Sequence, residues 1–262
     1  MTPDIALSPK TYPPEWEPPA PPTDLIFDDG VPLESNRHRI AMNVLIQSTQ
    51  QALTPRTHDF FTGGNMFVYY SRNQAMNRDF RGPDFFVVLG VEGDRDRQGW
   101  VVWEEEGRYP DVIVELLSPS TAAVDKGVKK DLYEQVFKTS DYFVFDPFDP
   151  TSLQGWQLDA VYGYQPLSPN EQGWLWCESL GLWLGTWEGS INREPVNSTC
   201  HWLRLYDPSG NLIPLPEESA QQQAAEERQR AEQERLRAEQ EKQRADRLAE
   251  RLRKLGIDPS NL

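Results

Sequence analysis

Apolar and polar positions along this chain fall into blocks whose period changes, and the changes outline the elements. Between Asp28 and Leu53 the apolar positions Ile40, Val44 and Leu45, with Ser48, recur at helical spacing from about Glu34, and Met42 and Ile46 broaden the face. "NMFVYYSR" (Asn65–Arg72) follows Gly63-Gly64, is rich in β-formers and predicts a strand. "DFFVVLGVE" (Asp84–Glu92) predicts a second, and "DVIVELLS" (Asp111–Ser118) a third, whose lack of alternation implies burial on both faces. "WVVWEEEGRY" (Trp100–Tyr109) fits an edge strand or a loop. Thr121–Ser140 is helical in pattern, with Val128, Leu132, Val136 and Phe137 on one stripe. "DYFVFDP" (Asp141–Pro147) predicts a fourth strand stopped by its proline.

Beyond this core, Trp156 to Tyr206 is rich in aromatics and turn residues, which predicts hairpins. From Glu217 to about Leu255 runs one long helical pattern in which Ala224, Ala231, Ala238, Ala245 and Leu252 repeat every seven residues. The positions three residues on are Glu227, Glu234, Glu241, Leu248 and Leu255, so the seam is apolar only near its end. A solvated single helix and a coiled coil joining near Leu248–Leu255 both fit, and Gly256 stops the pattern. Prolines cluster between Ser8 and Asp24, which predicts an extended arm. The expected division is a proline-rich arm (1–27), a core (28–150), a β-rich extension (151–216) and a charged helix (217–262).

Composition narrows the function classes. The net charge is −15. From Glu217 onward 10 basic and 11 acidic side chains nearly cancel, so the remaining 16 basic and 30 acidic groups leave −14 on the first 216 residues. Such a domain repels phosphate backbones at long range, which argues against tight nonspecific binding but leaves room for a local basic groove or a bridging cation. No apolar run reaches the roughly 20 residues of a membrane span, and the N-terminus lacks the pattern of a signal peptide. Cys177 and Cys200, without CxxC spacing, fit reduced thiols or at most a cross-hairpin pair. The expected location is cytoplasmic.

One residue contradicts its surroundings. Glu115 lies at the centre of the apolar run VIVELL, and burying a carboxylate is costly unless it is paired or binds a metal. Asp84 begins another apolar run after Pro83. On neighbouring strands about 4.8 Å apart, two such carboxylates suit one hard cation; without it they repel, and one holds a proton. Asp111, also preceded by proline, is four residues from Glu115 on the same strand. The implied separation of roughly 13 Å is too far for one ion to bridge, so Asp111 fits a residue that starts the strand.

Pro83-Asp84 with its apolar run, "VELLSPST" (Val114–Thr121), "DKGVKKDLY" (Asp125–Tyr133) and "YFVFDP" (Tyr142–Pro147) together resemble the Uma-type family of putative restriction endonucleases, within the PD-(D/E)XK nuclease superfamily. The resemblance runs from about Glu34 to Pro147 and extends through "LGLWLGTWEG" and "WLRLYDPSGNLIP" to the tail. It implies an α/β fold with a restriction-endonuclease-like core: helix, three strands, helix, strand. It also implies Mg²⁺ (or Mn²⁺) on Asp84 and Glu115, and DNA as substrate. The superfamily's lysine two residues after the glutamate is replaced by Leu117. The family's recurrent lysine four residues after the Asp of the next helix maps to Lys129, with Asp125 before it and Tyr133 one turn later. Glu34 is the implied acidic residue of the first helix, with a capping or first-turn carboxylate as the plainer reading. His38, one turn on, is a second accessory or a structural residue. A homodimer through the core or the C-terminal helix is a further expectation. The competing reading is a non-catalytic interaction protein on the same fold, using Trp183, Trp187 and the tail.

Overall fold

The structure is a computed structural model that describes residues 22–28, 30, 33–56, 58–77 and 81–254. Most of the proline-rich arm, and the expected stop at Gly256, lie outside those residues. The end of the arm that is described packs: Leu25 and Phe27 lie against Phe67, Tyr69 and Val101, and the Tyr69 hydroxyl donates to the Ile26 carbonyl.

The first helix, Asn36–Ala52, starts at Ser35, whose side chain accepts from the His38 backbone N–H, the usual way an N-cap satisfies an orphan donor. Glu34 therefore precedes the cap and does not stand in the first turn. Among the described residues eleven strands follow in chain order: β1 (Phe60–Gly64), β2 (Val68–Tyr69), β3 (Phe85–Leu89), β4 (Trp100–Val101), β5 (Val112–Leu116), β6 (Asp141–Asp146), β7 (Asp149–Asp159), β8 (Gly163–Pro166), β9 (Leu175–Cys177), β10 (Leu182–Gly189) and β11 (Cys200–Tyr206). The main sheet has the order β1-β3-β5-β6-β7-β8. β1, β3 and β5 are antiparallel, whereas β5 and β6 are parallel and joined by a helical segment over 122–137. Helix, three strands, helix, strand is the expected core order. The expected boundary at residue 150 falls within β7, which pairs with β6 and extends the same sheet.

Two expectations fail for physical reasons. The first sheet strand is "FFTGG" (β1), upstream of the segment read as a strand; of Asn65–Arg72 only Val68–Tyr69 pairs, in parallel, with β4. Glycines weaken a strand in isolation, but here they are required by a close approach. A Cβ on Gly63 would lie 2.3 Å from the Phe86 ring of the neighbouring strand. The second failure is the helical stripe over 122–137. Val128 and Val136 are exposed, while Asp125, Tyr133 and Phe137 are buried. Asp125–Lys129 and Tyr133–Phe137 are π-helical turns. Their i→i+5 bonding widens the coil, so residues four apart stay on one face. The inward stripe is Asp125, Lys129, Tyr133, Phe137, one residue on from Val128, Leu132 and Val136 at the same spacing, and it is set by Lys129 pairing with Glu115 and Asp125.

Period-two alternation sorts the sheet into two faces. Phe85 and Val87, Val112, Val114 and Leu116, and Phe143 and Phe145 face the first helix and the small sheet β9–β11. Phe86, Val88, Ile113, Tyr142 and Val144 face the helical segment with Tyr133 and Phe137. The 39-residue C-terminal helix, Pro216–Lys254, is fastened at its first turn. There the fully buried Arg204 of β11 meets Glu218 at 2.7 Å, and the Leu215 backbone N–H donates to the same carboxylate at 2.7 Å. Further along, its alanine stripe is exposed. Among the described residues no helix is long and apolar enough to cross a membrane, and both cysteines are free.

Candidate active site

The register of β3 on β5 decides which carboxylates meet. Phe85 is opposite Val114, Phe86 opposite Ile113 and Val87 opposite Val112, so the next rung sets Asp84 opposite Glu115. Side chains take over the ladder there. The Asp84 backbone N–H donates to Glu115 Oε2 at 3.3 Å, and the Leu116 backbone N–H donates to Asp84 Oδ2 at 2.7 Å. By alternation Glu115 points with Ile113 and Leu117 toward the helical segment, which brings its inward stripe to the same place.

Lys129 Nζ lies 3.1 Å from Glu115 Oε2 and 2.8 Å from Asp125 Oδ1. Tyr133, noted in the sequence only as part of the motif, donates its hydroxyl to Glu115 Oε1 at 2.7 Å. Asp125 is 1% exposed, and neither carboxylate oxygen has an aligned hydrogen bond; its approach to Lys129 is ionic. Its backbone carbonyl, in the first π turn, accepts from the Tyr142 hydroxyl at 2.8 Å. Leu117, at the position of the superfamily lysine, is buried in the apolar layer. The ammonium comes from Lys129 on the facing segment.

The electrostatics follow from burial and crowding. Desolvation, then the Glu115 charge, push the Asp84 carboxyl well above its usual range, against the pull of Lys129 and the Leu116 N–H. Glu115 is also raised, by complete burial opposed chiefly by Lys129. Burial lowers the Lys129 ammonium, but Glu115 and Asp125 outweigh it, and the net shift is upward. Tyr133 is driven well above the ordinary phenol range by burial and then by the Glu115 charge, so it is a donor at every working pH.

The remaining candidates lie around this centre. His38 is buried with Nε2 3.2 Å from the Leu117 carbonyl oxygen and Nδ1 2.8 Å from Ser35 Oγ. It touches the backbone leading out of the site, not the carboxylates. Glu34 is exposed and is not brought to the centre. Asp111 stands at the far end of β5, where its Oδ2 accepts from the Leu89 backbone N–H at 2.7 Å.

Among the described residues no group of three or more His, Cys, Asp or Glu side chains is gathered to hold a metal ion. The donor chemistry still fits a hard cation. Two carboxylates face each other at one rung, both with raised proton affinity, and Asp125 beside them has oxygens without aligned donors. Mg²⁺ is usually bound through one or two carboxylates, with water and phosphate completing its shell.

A model of the Uma2 family, described as "Putative restriction endonuclease", matches residues 3–189. A crystal structure of a putative nuclease belonging to DUF820 from Anabaena variabilis ATCC 29413 is similar at 15% identity, over 57% of this chain and 76% of that one, with a TM-score of 0.39. No curated protein matches the chain.

Proposed function

This chain belongs to the Uma2 family of putative restriction endonucleases, and from that premise we propose that it is a Mg²⁺-dependent endonuclease that hydrolyses DNA phosphodiester bonds. The observation that carries the reading is the rung that sets Asp84 opposite Glu115 with the Lys129 ammonium 3.1 Å away. Asp84 and Glu115 would hold the ion, which when bound supplies charge neutralisation at a phosphoryl oxygen and acidifies a water. Lys129 donates to the phosphate and stabilises the charge that grows on it during attack. When it turns to the phosphate, Asp125 keeps the head group from leaving the site. Tyr133 fixes the Glu115 carboxylate in one orientation, and His38 fixes the backbone at Leu117. DNA meets an acidic protein, so the local cation is what makes close approach of phosphate favourable.

Nicking of supercoiled plasmid by the full chain tests the proposal. The expected result is cleavage in millimolar Mg²⁺, none in EDTA, and none with Glu115→Gln. Equal cleavage by wild type and Glu115→Gln would overturn it. One observation favours the alternative of a non-catalytic interaction protein: Lys129 already neutralises Glu115 and Asp125 without a metal. That reading requires that calorimetry detect no Mg²⁺ binding; Mg²⁺ heat that disappears in Glu115→Gln excludes it.

A further inference from the structure

The parallel pair β5 and β6 ends at the edge of the sheet that carries the site, and the turn from β6 into β7 presents a phenyl group at that edge, on the side of the first helix. Phe148 is 58% exposed, yet it is held in place. Its backbone N–H donates to Asp146 Oδ1 at 2.8 Å. The Arg37 guanidinium lies 4.5 Å from the ring centroid, a cation–π contact. The His38 ring is 5.9 Å away, centroid to centroid, and His38 in turn contacts the Leu117 carbonyl at 3.2 Å. Leu117 is two residues, about 7 Å of strand, beyond Glu115. Arg37 is itself restrained: its side chain is 15% exposed, it pairs with Glu194 at 3.5 Å, and its buried Nε lacks a hydrogen-bond partner. Val161 and Tyr162 are more exposed but occupy the β7–β8 turn, at the opposite end of β7.

We propose that Phe148 is a platform on which an unstacked nucleobase rests beside the phosphate held at Asp84 and Glu115, with Arg37 backing the ring. An exposed phenyl usually needs no explanation. This one is immobilised by a turn and a cation, so little side-chain entropy is lost when a base covers it. Every base has a π-face, so such stacking tolerates any sequence, and it supplies affinity that an acidic surface cannot gain from phosphates alone. The inference rests on the nuclease reading and adds a preference for single-stranded or extruded nucleotides.

The test compares wild type, Phe148→Ala and Phe148→Tyr on a fluorescent single-stranded DNA oligonucleotide, on the same strand carrying abasic positions, and on a duplex. The expected result is a KM for the single strand about tenfold higher in Phe148→Ala, with kcat within about twofold of wild type, and recovery in Phe148→Tyr. On the abasic strand the three proteins should be equal. If wild type cleaves and Phe148→Ala cleaves the single strand with unchanged KM, the platform is wrong and the nuclease reading stands. Equal impairment on normal and abasic strands means a structural role and also overturns it, as does duplex cleavage with no single-strand activity. If wild type neither binds nor cleaves any of the three DNAs, both readings fall together.

Discussion

Pro83-Asp84 and Pro110-Asp111 are the same local device used twice. Each proline precedes an aspartate at the start of a strand, and β3 and β5 run antiparallel, so the two occupy opposite ends of one ladder. The bonding repeats as well. Asp84 is opposite Glu115 and accepts from the next N–H, that of Leu116, at 2.7 Å. By the same register Asp111 is opposite Val88 and accepts from the next N–H, that of Leu89, at 2.7 Å. What differs is the facing residue. Opposite valine, the aspartate closes a ladder and pairs loosely with Arg108 at 3.8 Å. Opposite glutamate, with Lys129 and Tyr133 converging on the same carboxylate, it becomes half of a candidate site. A Pro-Asp start is therefore a structural motif, and its chemistry is decided across the sheet.

The largest expected contrast is in turnover. Asp84→Asn should lower metal-dependent cleavage on the order of a thousandfold, as loss of a group that organises transition-state charge does. Asp111→Asn should leave it within about threefold. Plasmid nicking under identical conditions compares them, and similar losses in both variants would erase the distinction.

Stability should separate them in the opposite direction. Asp111→Ala removes an acceptor from a backbone N–H and should cost about 1–2 kcal/mol in urea unfolding. Asp84→Ala loses the same type of bond but also relieves repulsion with buried Glu115, so without metal it should cost less than Asp111→Ala. A larger cost at Asp84 would mean the two carboxylates do not repel in the folded state.

Mg²⁺ offers a third contrast. It binds the folded form, so it should raise the melting temperature of wild type and of Asp111→Asn, by about 1.4 kcal/mol of stabilisation at tenfold excess over Kd. Asp84→Asn should show no shift.

The smallest effect is the pH slope in EDTA. Both aspartates are raised on folding, Asp84 by burial and then Glu115, Asp111 by burial opposed by its Leu89 bond and Arg108. A raised carboxylate binds protons more tightly in the folded state. Its favourable contribution is therefore full below the unfolded pKa and is lost as pH rises through the folded value. Stability should fall as pH climbs above the ordinary carboxylate range. Asp84→Asn should flatten that fall more than Asp111→Asn, as read from unfolding midpoints across pH.

The core order was legible because long apolar runs interrupted by a single carboxylate carry both a strand signal and a chemical one. The separation along one strand was enough to set Asp111 apart from Glu115. β1 was not legible, because Gly63 makes sense only beneath the Phe86 ring, a contact that sequence does not display. The helical stripe is one residue out of phase with the expectation, because apolar Val128 and Val136 suggest the inward face, whereas Lys129 turns inward to pair with Glu115 and Asp125 and carries Tyr133 in with it. Glu34 was displaced by Ser35 as the capping residue. Phe148 had no periodic context at all, being one residue in a turn.

The π turns also bear on how this helix tolerates change in length. A π turn is what an α-helix becomes when it absorbs one extra residue. Deleting Gly127 would let the first π turn, Asp125–Lys129, relax to regular α-helix. The same deletion would rotate Tyr133 and Phe137 relative to Asp125 and withdraw the hydroxyl from Glu115. In this segment a shorter and better-formed helix would be the defective one.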